Sequence, residues 1–123
     1  MIQGMVNAQR EAIVQLRVRG PAGAELRVDA LIDSGFTASL ALSPAVSAAL
    51  GLSYWSDGKA MLADGSLQQF DIYEAEVEWD GVWRSVLVWT VSDEAMIGMR
   101  LLAGHKLCME IVPGGAVEIN ALP

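Results

Sequence analysis

The residue types that build most metal and redox sites are nearly missing from this chain of 123 residues, which has one cysteine, Cys108, and one histidine, His105. A single cysteine excludes an internal disulfide, and a lone histidine leaves too few soft ligands for an ordinary zinc centre. No metal and no cofactor are expected. Cys108 lies in the apolar run Leu107-Cys108-Met109 and reads as a small buried side chain. Basic residues are also scarce. Eight Lys and Arg face fifteen Asp and Glu, giving a net charge of −7. No basic cluster is present to neutralise a phosphate backbone, so nucleic acid is not an expected partner.

Long hydrophobic runs are absent as well, although 53% of the residues are apolar. The longest weakly polar segment, Ala38 to Leu52, is broken by Ser39, Ser43, Pro44, Ser47 and Gly51 and does not read as a membrane span. Met1 to Glu11 has neither a basic leader nor an apolar run of signal-peptide length, so a cytoplasmic location is the expectation. The excess apolarity points instead to a buried interface. The length is that of one domain, 1–123, and is too short for two lobes of ordinary size.

What is present is period-2 alternation. Val14, Leu16 and Val18 alternate with Gln15, Arg17 and Arg19, and Gly20-Pro21-Ala22-Gly23 then turns the chain. Leu26, Val28, Ala30 and Ile32 form the next inward face, with the apolar Leu31 marking where that strand dives into the interior and delivers Asp33 at its end. After Gly35, Ser39 to Leu42 reads as a short strand. Ser43-Pro44 then supplies an N-cap and a first-turn proline for a helix that ends at Gly51.

Asp-Gly pairs mark two hairpins, one at Asp64-Gly65 between Lys59–Leu62 and Leu67–Ile72, the other at Asp80-Gly81 between Tyr73–Trp79 and Val82–Val91. Each is expected to supply the positive backbone dihedrals of a tight turn. Ala95-Met96-Ile97-Gly98 is a short apolar run closing on glycine. A brief helix over Met99 to Ala103 follows, then strands over Leu107 to Val112 and Ala116 to Ile119. About eight short strands and one or two short helices imply a mostly β barrel or sandwich. Trp55, Trp79, Trp83 and Trp89 sit at strand positions where core or interface is the usual role. Glu74, Glu76 and Glu78 form an acidic strand face that reads as solvated.

Asp33-Ser34-Gly35 is uninformative as a bare tripeptide, and its surroundings carry the weight. Leu31 and Ile32 precede it, a short strand and a capped helix follow, and Met96-Ile97-Gly98 returns about sixty residues later. In this order of parts the chain resembles the retropepsin-like aspartic proteases, specifically the small bacterial single-domain kind, over about residues 12 to 119. The resemblance implies a retropepsin-like closed β-barrel acting as a homodimer, an aspartic endopeptidase that hydrolyses a peptide or protein substrate. Asp33 from each subunit would be the catalytic pair, with Ser34 and Gly35 as active-site support. Phe36, Ile97 and Gly98 would lie at the cleft, and the Ala63-Asp64-Gly65 hairpin would be the flap over it.

The chemistry explains these residue types. Two carboxyls held together cannot both ionise cheaply and share a proton as one unit. One carboxylate then takes a proton from a water attacking the peptide carbonyl while its protonated partner polarises the carbonyl oxygen. Gly35 allows a tight bend and close approach of the second copy, and the Ser34 hydroxyl can brace that turn across the dimer.

The chain also departs from the viral members, which commonly carry an Asp four residues after the catalytic one and an Arg directly after the second glycine, paired as a buried salt bridge. Thr37 and Met99 stand at those positions, with Arg100 one place later. Phe36 replaces the small residue that often follows the first glycine. The alternative reading is therefore a catalytically inactive module that keeps the fold for dimerisation or peptide binding, and the plain alternative for Asp33-Ser34-Gly35 is an Asx-type turn. Apolar Ala116 to Leu122, joined by Met1 to Val6, is expected to offer the edge that pairs with a second chain.

Overall fold

A computed structural model describes residues 1–123. Ten strands and two short helices follow one another as β1 (Ile2–Val6), β2 (Ala12–Arg19), β3 (Glu25–Ile32), β4 (Leu40–Ala41), α1 (Pro44–Ala49), β5 (Ser53–Met61), β6 (Leu67–Trp79), β7 (Val82–Trp89), β8 (Met96–Ile97), α2 (Met99–Leu102), β9 (His105–Met109) and β10 (Ala116–Ala121). The expectation of a mostly β closed barrel with short helices holds. Six strands close the barrel in the order β2-β3-β8-β4-β7-β6, the ring being completed where Val18 and Arg19 of β2 pair with Val77 and Glu76 of β6. No helix is long and apolar enough to cross a membrane.

The alternation in the sequence is the alternation of burial. Val14, Leu16 and Val18 on β2 are enclosed together with Val77, Val88, Leu40 and Ile97 from the opposite wall. On β3 the strand does not dive into the interior as expected: Leu26 is exposed, Ala30 alone is fully enclosed, and Leu31, Ile32 and Asp33 beyond it are only partly buried. Helix α1 is as short as its caps allow. The Ser43 Oγ accepts the Val46 N–H at 3.1 Å at its start, and Gly51 breaks it in a left-handed conformation.

Four features differ from the sequence expectation. First, β6 is a single strand of 13 residues, so the two hairpins share it and are not separate ribbons. Second, β10 lies between β1 and β9, paired with Ile2–Met5 on one side and His105–Met109 on the other. Residues 116–121 therefore offer no free edge to a second chain, and the open edge on this side belongs to β9. Third, Cys108 is exposed, because on the edge strand β9 it faces outward opposite Glu118. Its neighbour Leu107 takes the inward position beside Ile119. Fourth, the acidic face of β6 is not simply solvated. Arg17 pairs with Glu78 and Glu25, and Arg19 pairs with Glu76 while stacking 4.0 Å over the Trp83 ring.

The tryptophans divide accordingly. Trp79 is core, and its Nε1–H donates to His105 Nε2 at 3.3 Å, which leaves His105 Nδ1 to donate to the Ala103 carbonyl at 3.0 Å. Trp55 is exposed on β5, and Trp83 lies under the arginines.

Candidate active site

Strand β8 is inserted between β3 and β4. It runs parallel to β3, with Leu31 opposite Met96 and Ile32 opposite Ile97, and antiparallel to β4, with Leu40 opposite Ile97. This places Asp33, the first residue past β3, against the end of β8, where its N–H donates to the Ile97 carbonyl at 3.0 Å. Two segments more than sixty residues apart thus meet at the Asp33 loop. No local pattern encodes that meeting, because parallel neighbours need a long crossover.

The loop is held by backbone groups. The N–H groups of Gly98, Met99 and Arg100 donate to the carbonyls of Ser39, Phe36 and Ala38 at 3.0, 2.8 and 3.2 Å. The first turn of α2 is thereby used up on residues 36–39, which satisfies donors that a helix start otherwise leaves free. A Cβ on Gly98 would overlap the Ala38 carbonyl oxygen and crowd the Phe36 ring, so only glycine fits this crossing. Thr37, Met99 and Arg100 at this latch are all exposed, and Arg100 forms no ion pair.

Asp33 is partly buried, and its Oδ1 accepts the Gly35 N–H at 2.9 Å while its carbonyl accepts the Phe36 N–H at 3.1 Å. This is an Asx turn, the plain use of these residues. It still leaves Oδ2 without a partner. Ser34 is exposed and its hydroxyl makes no bond within the chain. Gly35 does not adopt a positive φ, and the only atom near a Cβ built there is Asp33 Oδ1 at 3.2 Å. Gly35 therefore keeps space open at the loop and is not required by a left-handed backbone.

Phe36 does not project freely into a cleft. Its ring meets Trp89 edge to face at 5.5 Å, and Trp89 lies 4.9 Å from Phe70 at the root of the β5–β6 hairpin. This trio links the Asp33 loop to the hairpin, and it brings Trp89 into the site, a placement that its strand position alone did not reveal. Ile97 and Gly98 are buried behind the loop, so they support it and line no open surface.

Ala63, Asp64 and Gly65 form the hairpin tip, and residues 61–69 are exposed throughout. Only Gly65 has a positive φ, at 84°. The Gly65 N–H donates to the Leu62 carbonyl, and the Leu62 N–H to the Ser66 carbonyl, giving a three-residue loop and not a two-residue turn. Asp64 Oδ1 accepts both the Ser66 N–H at 2.9 Å and the Ser66 hydroxyl at 2.5 Å, and the side-chain bond in particular holds the carboxyl below its ordinary pKa.

A groove of about 580 Å³ opens beside the loop between Thr37-Ala38-Ser39 and strand β7, with Trp89 on its wall and Arg100 at its rim. It does not reach Asp33. A single chain presents one such carboxylate on this loop, so acid–base work by a carboxyl pair needs a second copy. No protein-family model matches the chain, and neither does any curated protein.

Proposed function

We propose that the chain is one subunit of a homodimeric aspartic endopeptidase, with Asp33 of each copy forming the catalytic pair. The observation that supports this reading is the threading of β8 between β3 and β4, which holds Asp33 against the end of β8 with one carboxylate oxygen uncommitted. The exposed Ser34 hydroxyl and the open space over Gly35 suit close approach of a second loop.

In the dimer one Asp33 carboxylate takes a proton from water as it attacks the scissile carbonyl, and the protonated Asp33 of the other copy donates to the carbonyl oxygen. The proton taken from water then passes to the leaving amine as the C–N bond breaks, and the gem-diol hydroxyl returns its proton to the other Asp33, restoring the pair. The β5–β6 hairpin folds over the substrate and excludes water from the cleavage site.

Asp33→Asn tests this directly. The variant is expected to remain folded and dimeric while peptide cleavage drops by three orders of magnitude or more, on the order of the loss seen when one member of a catalytic unit is removed. Equal cleavage by wild type and Asp33→Asn would sink the proposal. The second reading, a peptide-binding or dimerisation module without catalysis, is favoured by Phe36, whose ring is committed to Trp89 beside the loop, and it requires peptide binding without turnover in both proteins.

A further inference from the structure

We propose that the groove beside the Asp33 loop is a subsite for an acidic side chain of an extended peptide, read by Arg84 and Arg100. The inference rests on the peptide-hydrolysis reading and names what that site selects.

The groove exists because β4 is only two residues long. It covers the β7 edge at Val88 and Trp89 alone, so the same edge from Arg84 to Leu87 has no strand beside it and forms one wall. An open strand edge offers main-chain donors and acceptors to an extended segment. The facing wall, Thr37 to Ser39, follows Phe36 in the chain and so belongs to the same loop that carries Asp33.

Charge makes the groove exceptional. The chain carries a net charge of −7, and Arg17 and Arg19 are already neutralised by glutamates. Arg84 and Arg100 make no ion pair and no side-chain hydrogen bond, and no carboxylate lines the groove they share. The other sizeable grooves are each lined by two or more carboxylates: Glu25 and Glu76, Glu74 and Glu76, Asp57 and Asp71, or Asp29 with its acidic neighbours. Arg10, Arg27, Lys59 and Lys106 also make no ion pair but line none of these grooves, so of the grooves compared this one alone meets an acidic side chain with unpaired cations and no carboxylate.

The lining also favours a side chain over a free anion. Ile72, Val86, Leu87 and Trp89 supply apolar surface for a methylene stem, and Thr37 and Ser85 add hydroxyls beside the guanidinium groups. Glutamate, with its longer stem, fits this mixture better than inorganic phosphate.

The test uses the full chain carrying Asp33→Asn, so that binding is read without turnover. Short peptides bearing Glu or its isostere Gln, scanned through each position, are titrated by calorimetry. At one position Glu is expected to bind about tenfold tighter than Gln, the range of a charge-assisted hydrogen bond, with the gap shrinking at high salt. Adding Arg84→Gln and Arg100→Gln should abolish the gap, while Arg84→Lys should keep part of it. Both arginines are exposed, and unchanged thermal unfolding of the Gln variants checks that the fold survives. No Glu–Gln difference at any position, a difference that survives both Gln substitutions, or equal competition by inorganic phosphate and the Glu peptide each overturns the inference. The two proposals fail separately. Wild type that cleaves Glu and Gln peptides alike removes the subsite and leaves the protease. Arginine-dependent Glu binding with no cleavage by wild type removes the protease and leaves the subsite.

Discussion

The floor and the roof of the proposed cleft are built in opposite ways. The floor, residues 33–39, is fastened by backbone hydrogen bonds from Ile97 to Arg100 and by a crossing at Gly98 that admits no side chain. The roof, residues 61–69, is exposed along its whole length and held by its own ladder and one turn. A site that must hold a carboxylate in register needs rigidity below, and a segment that must admit and release a chain needs a low opening cost above. The contrast lies in what each region is fastened to, since the floor is bonded to residues 97–100 far along the chain and the roof bonds only within its own hairpin.

Gly98→Ala is the strongest way to break this comparison. The added Cβ meets a carbonyl oxygen that belongs to the latch itself, so relief requires moving backbone and not a flexible side chain. A loss of about 3 kcal/mol is expected, the upper end for over-packing, read as a lower denaturant midpoint at unchanged slope. Met61→Ala and Leu67→Ala on the roof should stay within about 0.5 kcal/mol. Comparable losses in floor and roof variants would show that the roof is packed against something and that the contrast is false.

Phe70→Leu sharpens the comparison by cutting the link between the two regions. Phe70 is buried at the hairpin root and touches Trp89, which touches Phe36. Leucine fills part of the volume but loses the ring contact, at a cost of about 1–2 kcal/mol. Amide exchange should quicken in residues 61–69 and stay slow at Asp33 and Gly98. Faster exchange at Asp33 as well would mean that the aromatic trio, not the backbone latch, holds the floor.

Much of this was legible in the chain, and the failures are physical. Alternation located β2, β3 and the inner half of β6, because each has one face in the barrel and one outside it. The capped helix α1 followed from Ser43, Pro44 and Gly51. The Asp-Gly pairs show the limit. At Asp80-Gly81 both residues take positive φ, 53° and 81°, as a two-residue hairpin requires. At Asp64-Gly65 the following Ser66 engages the Asp64 carboxylate and only Gly65 is left-handed, so the same dipeptide makes a different loop. Cys108 misled because an apolar run on an edge strand still alternates. Trp89 was missed as a site residue because the trio joins positions 36, 70 and 89, and no local window contains them. The Asp33–Gly98 meeting came only from the resemblance of the whole pattern, and the groove between Arg84 and Arg100 had no sequence signal at all.

The smallest expected effect lies at the tip of the roof. The Ser66 hydroxyl and N–H both donate to Asp64, lowering its pKa, so the charged carboxylate is what closes the turn. A group with a depressed folded pKa contributes order above its ordinary value and loses it as pH falls through the lowered one. The turn should therefore stay closed through the usual aspartate range and open only at more acidic pH. Because Asp64 is fully solvent-exposed, solvent screening should keep the global unfolding midpoint unmoved by the change. The measurement is a titration of the Ser66 amide and the Asp64 carboxyl by nuclear magnetic resonance, with Ser66→Ala moving the Asp64 midpoint up toward its ordinary value. If Asp64 titrates normally while Ser66 is present, the turn is held by Gly65 and the Leu62–Ser66 backbone bond alone, and the roof carries no charge-dependent closure.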